Sequence, residues 1–437
     1  MKKIRSKMAR TITLAAVLPI ILSCPATVFA AGSMKDLGTL GGHQSWAYAM
    51  NDSGQVVGKS DILPITNPAH THAFLYSGGV MINLGTLGGT NSEAWGINNS
   101  GQVVGWSENS SSIMRAFLYS GGVMTDLGTL NGGTSSRAYA INNAGQIAGV
   151  ADDANSPHTG AFHAFLYSRG GMTDLGNLDG NPNHSCYGYA INNNGEIVGS
   201  CEVTGAMHAF RYSGGVMTDL GTLGGPWSEA HGINDAGEVV GWSNTSGGLA
   251  HAFRYSGGAL IDMGTLNGGQ YDISGAFAVN YAGQIVGQSS ATKNTHAFLY
   301  SGSNLIDLGT LGSASEASYA TAIDSAGLIA GYSTISTGYH HAFLYTPDII
   351  PVLPVHVEGG GYYSSLQEAY TLAPATGTIM VQKGELPGNL SANLNKTVTL
   401  EGGYDSDYSS NNGQTTLIHC NLLIGTGSIT VENIAIR

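Results

Sequence analysis

Short apolar runs, each closed by glycine or asparagine, fill the chain from about residue 34 to residue 345. One run, His72-Ala73-Phe74-Leu75-Tyr76, meets Ser77-Gly78-Gly79 and resumes as Val80-Met81-Ile82-Asn83-Leu84. Aromatic and β-branched residues in runs this short predict strands, and the glycine pair predicts a hairpin turn between them. Other strand pairs bracket Asn-x-x-Gly, a tight turn in which glycine takes positive φ. Around residue 145 the pattern gives four strands: a, Val123–Leu127; b, Ala138–Ile141; c, Gln146–Gly149; and d, Ala164–Tyr167.

Three phrases recur seven times each. Asp-Leu-Gly-Thr-Leu or a variant begins at Asp36, Asn83, Asp126, Asp174, Asp219, Asp262 and Asp307. Asn-x-x-Gly begins at Asn51, Asn98, Asn142, Asn192, Asn234 and Asn280, with Asp324 in the seventh place. His-Ala-Phe begins at His72, Arg115, His163, His208, His251, His296 and His341, Arg115 replacing histidine in one copy. The period of 43 to 48 residues is the length of a four-stranded propeller blade.

The array starts on strand a (Met34–Leu37) and ends on strand d (His341–Tyr345). In an open β-solenoid both would be bare edges, whereas in a ring they pair with each other. The predicted fold is therefore all-β: a seven-bladed β-propeller closed by the N- and C-terminal strands of the array, then a small β-helix-like domain. Small residues such as Ala94, Gly96, Ala138 and Ala140 suit strand b to the inner wall, followed outward by c, d and a. Leu75 becomes Arg211 and Arg254 in other copies, which predicts a solvent-reaching position on strand d.

These phrases, with Ile-Asn-x-x-Gly-Gln-Val-Val-Gly, resemble the bacterial extracellular HAF repeat family over about residues 34–345. That resemblance implies an exported protein and brings no catalytic residue with it.

The N-terminus agrees. Lys2, Lys3, Arg5, Lys7 and Arg10 precede an apolar run from about Ile12 to Leu22, which reads as a secretory signal over 1–30, cleaved after Ala30. Lipidation at Cys24 is the alternative. Without residues 1–30 the chain keeps 11 of its 16 basic residues and all 29 acidic ones, a formal charge of −18. That balance argues against nucleic acid as a partner. No later run is long and apolar enough to span a membrane. Cys186 and Cys201 fall opposite each other if their strands turn at Asn193-Asn194, so an exported chain can pair them as a disulfide. Cys420 has no evident partner.

The His-Ala-Phe and Asp positions are always 11 residues apart, and ring closure adds His341–Asp36. A Ser-Gly turn would put the two side chains directly opposite, and a Gly-Gly turn would make them diagonal neighbours. Seven equivalent copies favour a structural polar pair over a catalytic or metal site. His72, His163, His208, His251, His296 and His341 are assigned that role with Asp36, Asp126, Asp174, Asp219, Asp262 and Asp307. The Asn-x-x-Gly turns lack the dense carboxylates of a calcium loop. No catalytic set, metal site or cofactor motif is assigned.

Function is expected where copies differ. The a–b and c–d connections share one face of the ring, and length variation concentrates there: Asp61–Thr71, Asp152–Phe162, Asp179–His184, Gly268–Ser274 and Gly312–Ser318. Candidate ligand residues on that face and at the central mouth are His43, Trp46, His70, Trp95, His158, His184, Trp227, His231, Tyr271 and His340. Trp46, Trp95 and Trp227 read as related positions near the start of strand b, which suggests packing.

Prolines at 347, 351 and 354 read as a stiff linker over 347–355. Residues 356–437 resemble the cap and first rungs of a right-handed parallel β-helix. They comprise a short helix, Ser364–Tyr370, then strands near Thr378–Gln382, Thr397–Glu401, Thr415–His419 and Ser428–Ile436. Tyr404, Asp405 and Tyr408 form a candidate recognition loop, and a bare final rung offers a route to self-association. The leading expectation is an exported non-catalytic binding or surface-interaction protein, taking a glycan or a cell-surface protein. The rival is a carbohydrate-active enzyme with its site at the propeller mouth.

Overall fold

The computed structural model describes residues 32–63, 70–154, 161–301, 304–313 and 315–347, and segments from 355 to 436. The expected signal peptide, Cys24, His158, Asp405, Tyr408, Cys420 and most of the linker lie outside the described residues, as does the side chain of Tyr404. The chain divides into two compact units, one formed by Ala31–Asp348 and a second containing Ile349–Arg437. Among the described residues, no helix is long and apolar enough to cross a membrane.

The first unit is built from four-stranded antiparallel sheets in the spatial order b-c-d-a. The first sheet holds Gly41–Met50, Val56–Ile62, Thr71–Ser77 and Val80–Asn83. Six of the seven repeats build the same sheet from consecutive strands, the fourth and fifth being joined by a single parallel pair, Met207 with Trp227. The seventh takes b, c and d from Ser318–Ile323, Ile329–Thr334 and His340–Thr346, and its fourth strand from Ser33–Asp36 at the other end of the chain. Ser33 pairs with Thr346 and Asp36 with Phe343.

The d–a turn is Gly-Gly in the first sheet. Ser77 faces Val80, and Gly78 and Gly79 take φ of 59° and 89°, the positive values of a type I′ hairpin. His72 and Asn83 are consequently diagonal neighbours. The core lies between successive sheets: the phenylalanine of each His-Ala-Phe phrase, Phe74 to Phe343, is fully buried. The strand-d position assigned to solvent is only partly exposed: Leu75, Leu118, Leu166 and Leu344 are half-buried, as are Arg211 and Arg254, and Leu299 is 2 % exposed. Arginine is tolerated there because Glu196 pairs with Arg211 and Glu238 with Arg254, which supplies the partner a half-buried guanidinium needs.

Two polar devices, each present in six of the seven sheets, tie one sheet to the next. Ser92 Oγ accepts from Ala73 N at 2.9 Å and donates to Gly85 O at 2.6 Å, stitching two sheets and their connection. Ser45, Ser136, Ser228, Ser274 and Ser318 repeat this clamp. The second device is the Asn of Asn-x-x-Gly. Asn51 Oδ1 accepts from Ser53 N and Gln55 N, closing its own turn, while Nδ2 donates to Asn98 O. The circuit continues through Asn142, Asn192, Asn234 and Asn280 to the carbonyl of Asp324. Across the seam, Thr321 Oγ1 donates to Ala47 O and Ser325 N to Asp52 Oδ1.

In the second unit the helix spans Leu366–Leu372, and Leu366, Ala369, Tyr370 and Ala373 pack one face against Val355, Ile379 and Val398. Lys396 Nζ donates to the carbonyls of Tyr370, Thr371 and Ala373, satisfying the helix C-terminus. The strands after it pair in parallel: Thr376–Gln382 with Thr397–Tyr404 and then Ser428–Glu432, Gly384–Pro387 with Thr415–Ile418 and then Ile434–Ile436, and Leu390–Ala392 with Leu422–Ile424.

Candidate functional site: an aromatic-collared channel

Strand b of every sheet carries a one-residue bulge. Ala47 pairs with Gly58 and Ala49 with Val57, leaving Tyr48 unpaired. The same shift isolates Trp95, Tyr139, Tyr189, His231, Phe277 and Thr321 in the other sheets. A bulge re-aims a side chain, and all seven line one cavity of about 720 Å³. The glycine of strand c makes room for it: a Cβ on Gly58 or Gly199 would overlap the carbonyl oxygen of Trp46 or Tyr187.

The collar is continuous across six sheets. Tyr48 stacks on Trp95 with ring centroids 4.2 Å apart, and Trp95 meets Tyr139 edge-on at 5.7 Å. Tyr139 leans on Tyr189, which stacks on His231 at 5.0 Å, and His231 meets the edge of Phe277. Burial holds the phenols of Tyr48, Tyr139 and Tyr189 above the ordinary range and pushes that of Tyr332 up to about 12. These hydroxyls stay protonated donors at any physiological pH.

Strand direction orders the channel. Two residues further along strand b from the collar, toward the b–c turns, Met50, Ile97, Ile141, Ile233, Val279 and Ile323 form an apolar zone. Two residues before the collar, toward the variable connections, lie Trp46, Glu93, Arg137, Tyr187, Glu229, Gly275 and Tyr319. Glu93 is held by Lys59 Nζ at 2.8 Å and by Trp95 Nε1 at 3.1 Å, and Lys59 also lies over the Trp46 ring. Glu229 pairs with His231 at 3.3 Å. Binding surface is what this arrangement supplies: ring faces, neutral hydroxyls and an apolar interior.

The residues singled out from sequence scatter. His231 belongs to the collar. His43 stacks on Tyr339 at 4.7 Å, and His340 packs against Trp46 and against Tyr332, which lines the cavity. Burial lowers the pKa of His340. His184 instead braces its own loop, bonding Asp179 at 2.8 Å and Asn181 at 3.0 Å. His70 accepts at its carbonyl from Ile62 N. Trp227 and Tyr271 stand 45 % and 81 % exposed, away from the channel lining. The three tryptophans are not related positions. Trp95 is a bulge residue, Trp46 matches Glu93 and Glu229 at the rim, and Trp227 matches Gln44 and Asn91 earlier in the strand.

The His and Asp positions form pairs on the hairpins. His Nδ1 lies 2.8 to 2.9 Å from the carboxylate in His163–Asp174, His208–Asp219, His251–Asp262, His296–Asp307 and His341–Asp36. His72 meets Asn83, and Arg115 meets Asp126. One oxygen of each carboxylate also accepts from a backbone N–H two residues on, as Asp219 Oδ1 does from Gly221. In the third sheet Asp153 joins His163 and Asp174 with donor atoms within 4.8 Å of one another, the cluster among the described residues with the makings of a cation site. Within it His163 Nδ1 already bonds Asp174, Asp153 bonds Asn131 outside it, and His163 Nε2 is buried without a partner. Cys186 and Cys201 are bonded, with Cα atoms 4.1 Å apart.

Sequence reading missed Tyr48, Tyr139, Tyr189, Phe277 and Arg137. The available signal was one varying position inside a repeated phrase, Ala-x-Ala/Gly-Ile-Asn, where x runs through Tyr, Trp, Tyr, Tyr, His, Phe and Thr.

No family model matches the chain, and no curated protein matches its sequence. Solved structures similar to it include the β-propeller domain of the Trilobed protease from Pyrococcus furiosus, at 7 % identity and a TM-score of 0.48 over 69 % of this chain and 95 % of that one. TolB from Acinetobacter baumannii matches at 9 % identity and a TM-score of 0.37, over 69 % of this chain and 64 % of that one. A gluconolactonase from Xanthomonas campestris matches at 12 % and 0.35, over 74 % and 99 %. The likeness is one of propeller-like all-β architecture, and it carries no activity to this chain.

Proposed function

We propose that the seven sheets form a closed seven-bladed propeller followed by β-helix rungs, and that the chain is an exported, non-catalytic binding protein. Its ligand, a small molecule or the end of a glycan, enters the channel from the face of the variable connections. The observation that carries this reading is the collar. Scaffold positions repeat: the buried Phe is invariant across seven copies, the clamp Ser holds in six, and the turn Asn holds in six. The bulge position, on the same strand as the clamp Ser, differs in most copies. A structural role repeated around a ring calls for equal side chains, and a ligand calls for an asymmetric surface. The leader-like N-terminus, the Cys186–Cys201 bond and the HAF-like repeats support export.

The test pairs a glycan and small-molecule binding screen with the variants Trp95→Ala and Tyr139→Ala. Binding lost in both variants, with unchanged circular dichroism and with the ligand recovered intact, supports the reading. Equal affinity in both variants, or release of a product from the bound ligand, overturns it.

A further inference from the structure

We infer that the channel is built for an amphipathic monocarboxylate, with its apolar body below the collar and its carboxylate on Arg137. The inference rests on the channel being the binding site, and it names the chemistry of what enters.

Arg137 lies on strand b of the third sheet (Ser136–Ile141), at the rim and within the cavity lining. The half-buried arginines elsewhere in this unit each have a carboxylate: Arg115 has Asp126, Arg211 has Glu196, and Arg254 has Glu238. Arg137 forms no ion pair among the described residues. Its Nη2 rests on Met114 Sδ at 3.4 Å, a weak acceptor, and its other neighbour is the Tyr139 hydroxyl. The nearest rim acid along the ring, Glu93, is already neutralised by Lys59. Glu229 faces His231. A planar guanidinium with five donors is therefore left at the mouth of an apolar channel, in a chain of net acidic charge. Half-burial raises the cost of an uncompensated cation, and a carboxylate from the ligand offsets it through two parallel N–H···O bonds.

The interior sets the rest of the ligand. Along strand b, Arg137, Tyr139 and Ile141 succeed one another at two-residue steps, a depth of roughly 13 Å from rim to apolar zone. Trp95, Tyr139, Tyr189 and Phe277 ring the middle, and Ile97, Ile141 and Ile233 the far end. Arg137 repels an organic cation, which would otherwise suit an aromatic collar. A sugar acid would satisfy Arg137 and leave the apolar zone unfilled.

The experiment is calorimetric titration of the full chain with octanoate, octanol, octylamine and galacturonate, repeated on Arg137→Gln and Tyr139→Ala. Octanoate should bind about tenfold or more tighter than octanol, the increment of a charge-assisted pair over a neutral one. Arg137→Gln should remove that preference and leave octanol binding unchanged, and Tyr139→Ala should weaken both. Octanol or octylamine binding as tightly as octanoate would sink the carboxylate assignment while the channel stands. Galacturonate binding in preference to octanoate would do the same. If Tyr139→Ala leaves every affinity unchanged, or none of the four binds, the inference fails, and unchanged affinity in that variant removes the channel reading with it.

Discussion

One residue breaks the circuit that joins the repeats. In six copies an asparagine donates Nδ2 to the next carbonyl, and in the seventh Asp324 stands in that place. Its Oδ1 accepts from Leu328 N, as the asparagines do, so Oδ2 occupies the donor's position, where it is buried without a partner. Burial pushes its pKa from 3.8 up to about 6, hydrogen bonds from Leu328 and Ala326 resist the rise, and the nearby Asp52 carboxylate adds to it. Because the folded pKa is raised, the protonated form favours folding. That contribution is fully present below about pH 3.8 and is lost as pH rises through about 6. A shift of this size corresponds to on the order of 3 kcal/mol at neutral pH. Asp324→Asn restores a donor that does not titrate. Thermal melts should show the variant more stable at pH 7.5 by that order, with the gain shrinking toward pH 4. A gain independent of pH would mean that the carboxylate is not the cause.

At the scale of the element, alternation made the strands legible but not which of their faces lines the channel. Strand existence and the d–a hairpin follow from a period of two and from turn chemistry. Cys186 faces Cys201 for another reason: the turn pairs Ile191 with Ile197, one residue out of the register expected for a turn at Asn193-Asn194, and the bulge at Tyr189 restores the pairing. The collar was hidden for a different reason. Alternation makes Ala47 and Ala49 one face and Trp46, Tyr48 and Met50 the other, and reading small residues as the inner wall passed over the aromatic face. The bulge leaves Tyr48 unpaired, and the glycine of the neighbouring strand spares the Trp46 carbonyl a clash. The same register explains the cysteines. Cys186 faces Cys201 where Ser45 faces Ser60 and Ser92 faces Ser107, so the fourth sheet has a covalent bond in place of a serine clamp. Replacing both cysteines by serine should therefore be mild. It forfeits about 3 kcal/mol of loop constraint and regains about 1 kcal/mol from a hydrogen-bonded clamp. The double variant should melt higher than Cys201→Ala alone, which leaves neither bond nor clamp. Equal melting of the two would show that serine cannot rebuild the clamp in this sheet.

For the whole molecule, the decisive sequence feature was the mismatch between the ends of the repeat array, a strand a with no partner before it and a strand d with none after. The structure pairs Ser33–Asp36 with His340–Thr346 and sets Asp36 against His341, so the first and last repeats share a sheet. This seam differs from the other junctions in one physical respect: its strands are joined by no turn, and the entropy of bringing them together is met when the two chain-distant strands pair. Leu37, 7 % exposed, anchors the strand in the neighbouring core. Removing residues 32–37 deletes that anchor, the Asp36–His341 pair and four backbone pairings, together worth about 3 kcal/mol or more. It also leaves His340–Thr346 as a bare edge, which invites pairing between chains. The truncated chain should melt lower and elute partly as a dimer in size-exclusion chromatography. A synthetic peptide of residues 32–40, added in excess, should raise the melting temperature and restore the monomer, since it supplies the strand without the covalent link. In an open array the missing strand would cost only its own contacts, and peptide and oligomeric state would be unrelated. Truncation without dimerisation, or dimers that the peptide does not dissolve, would count against a ring closed at this seam.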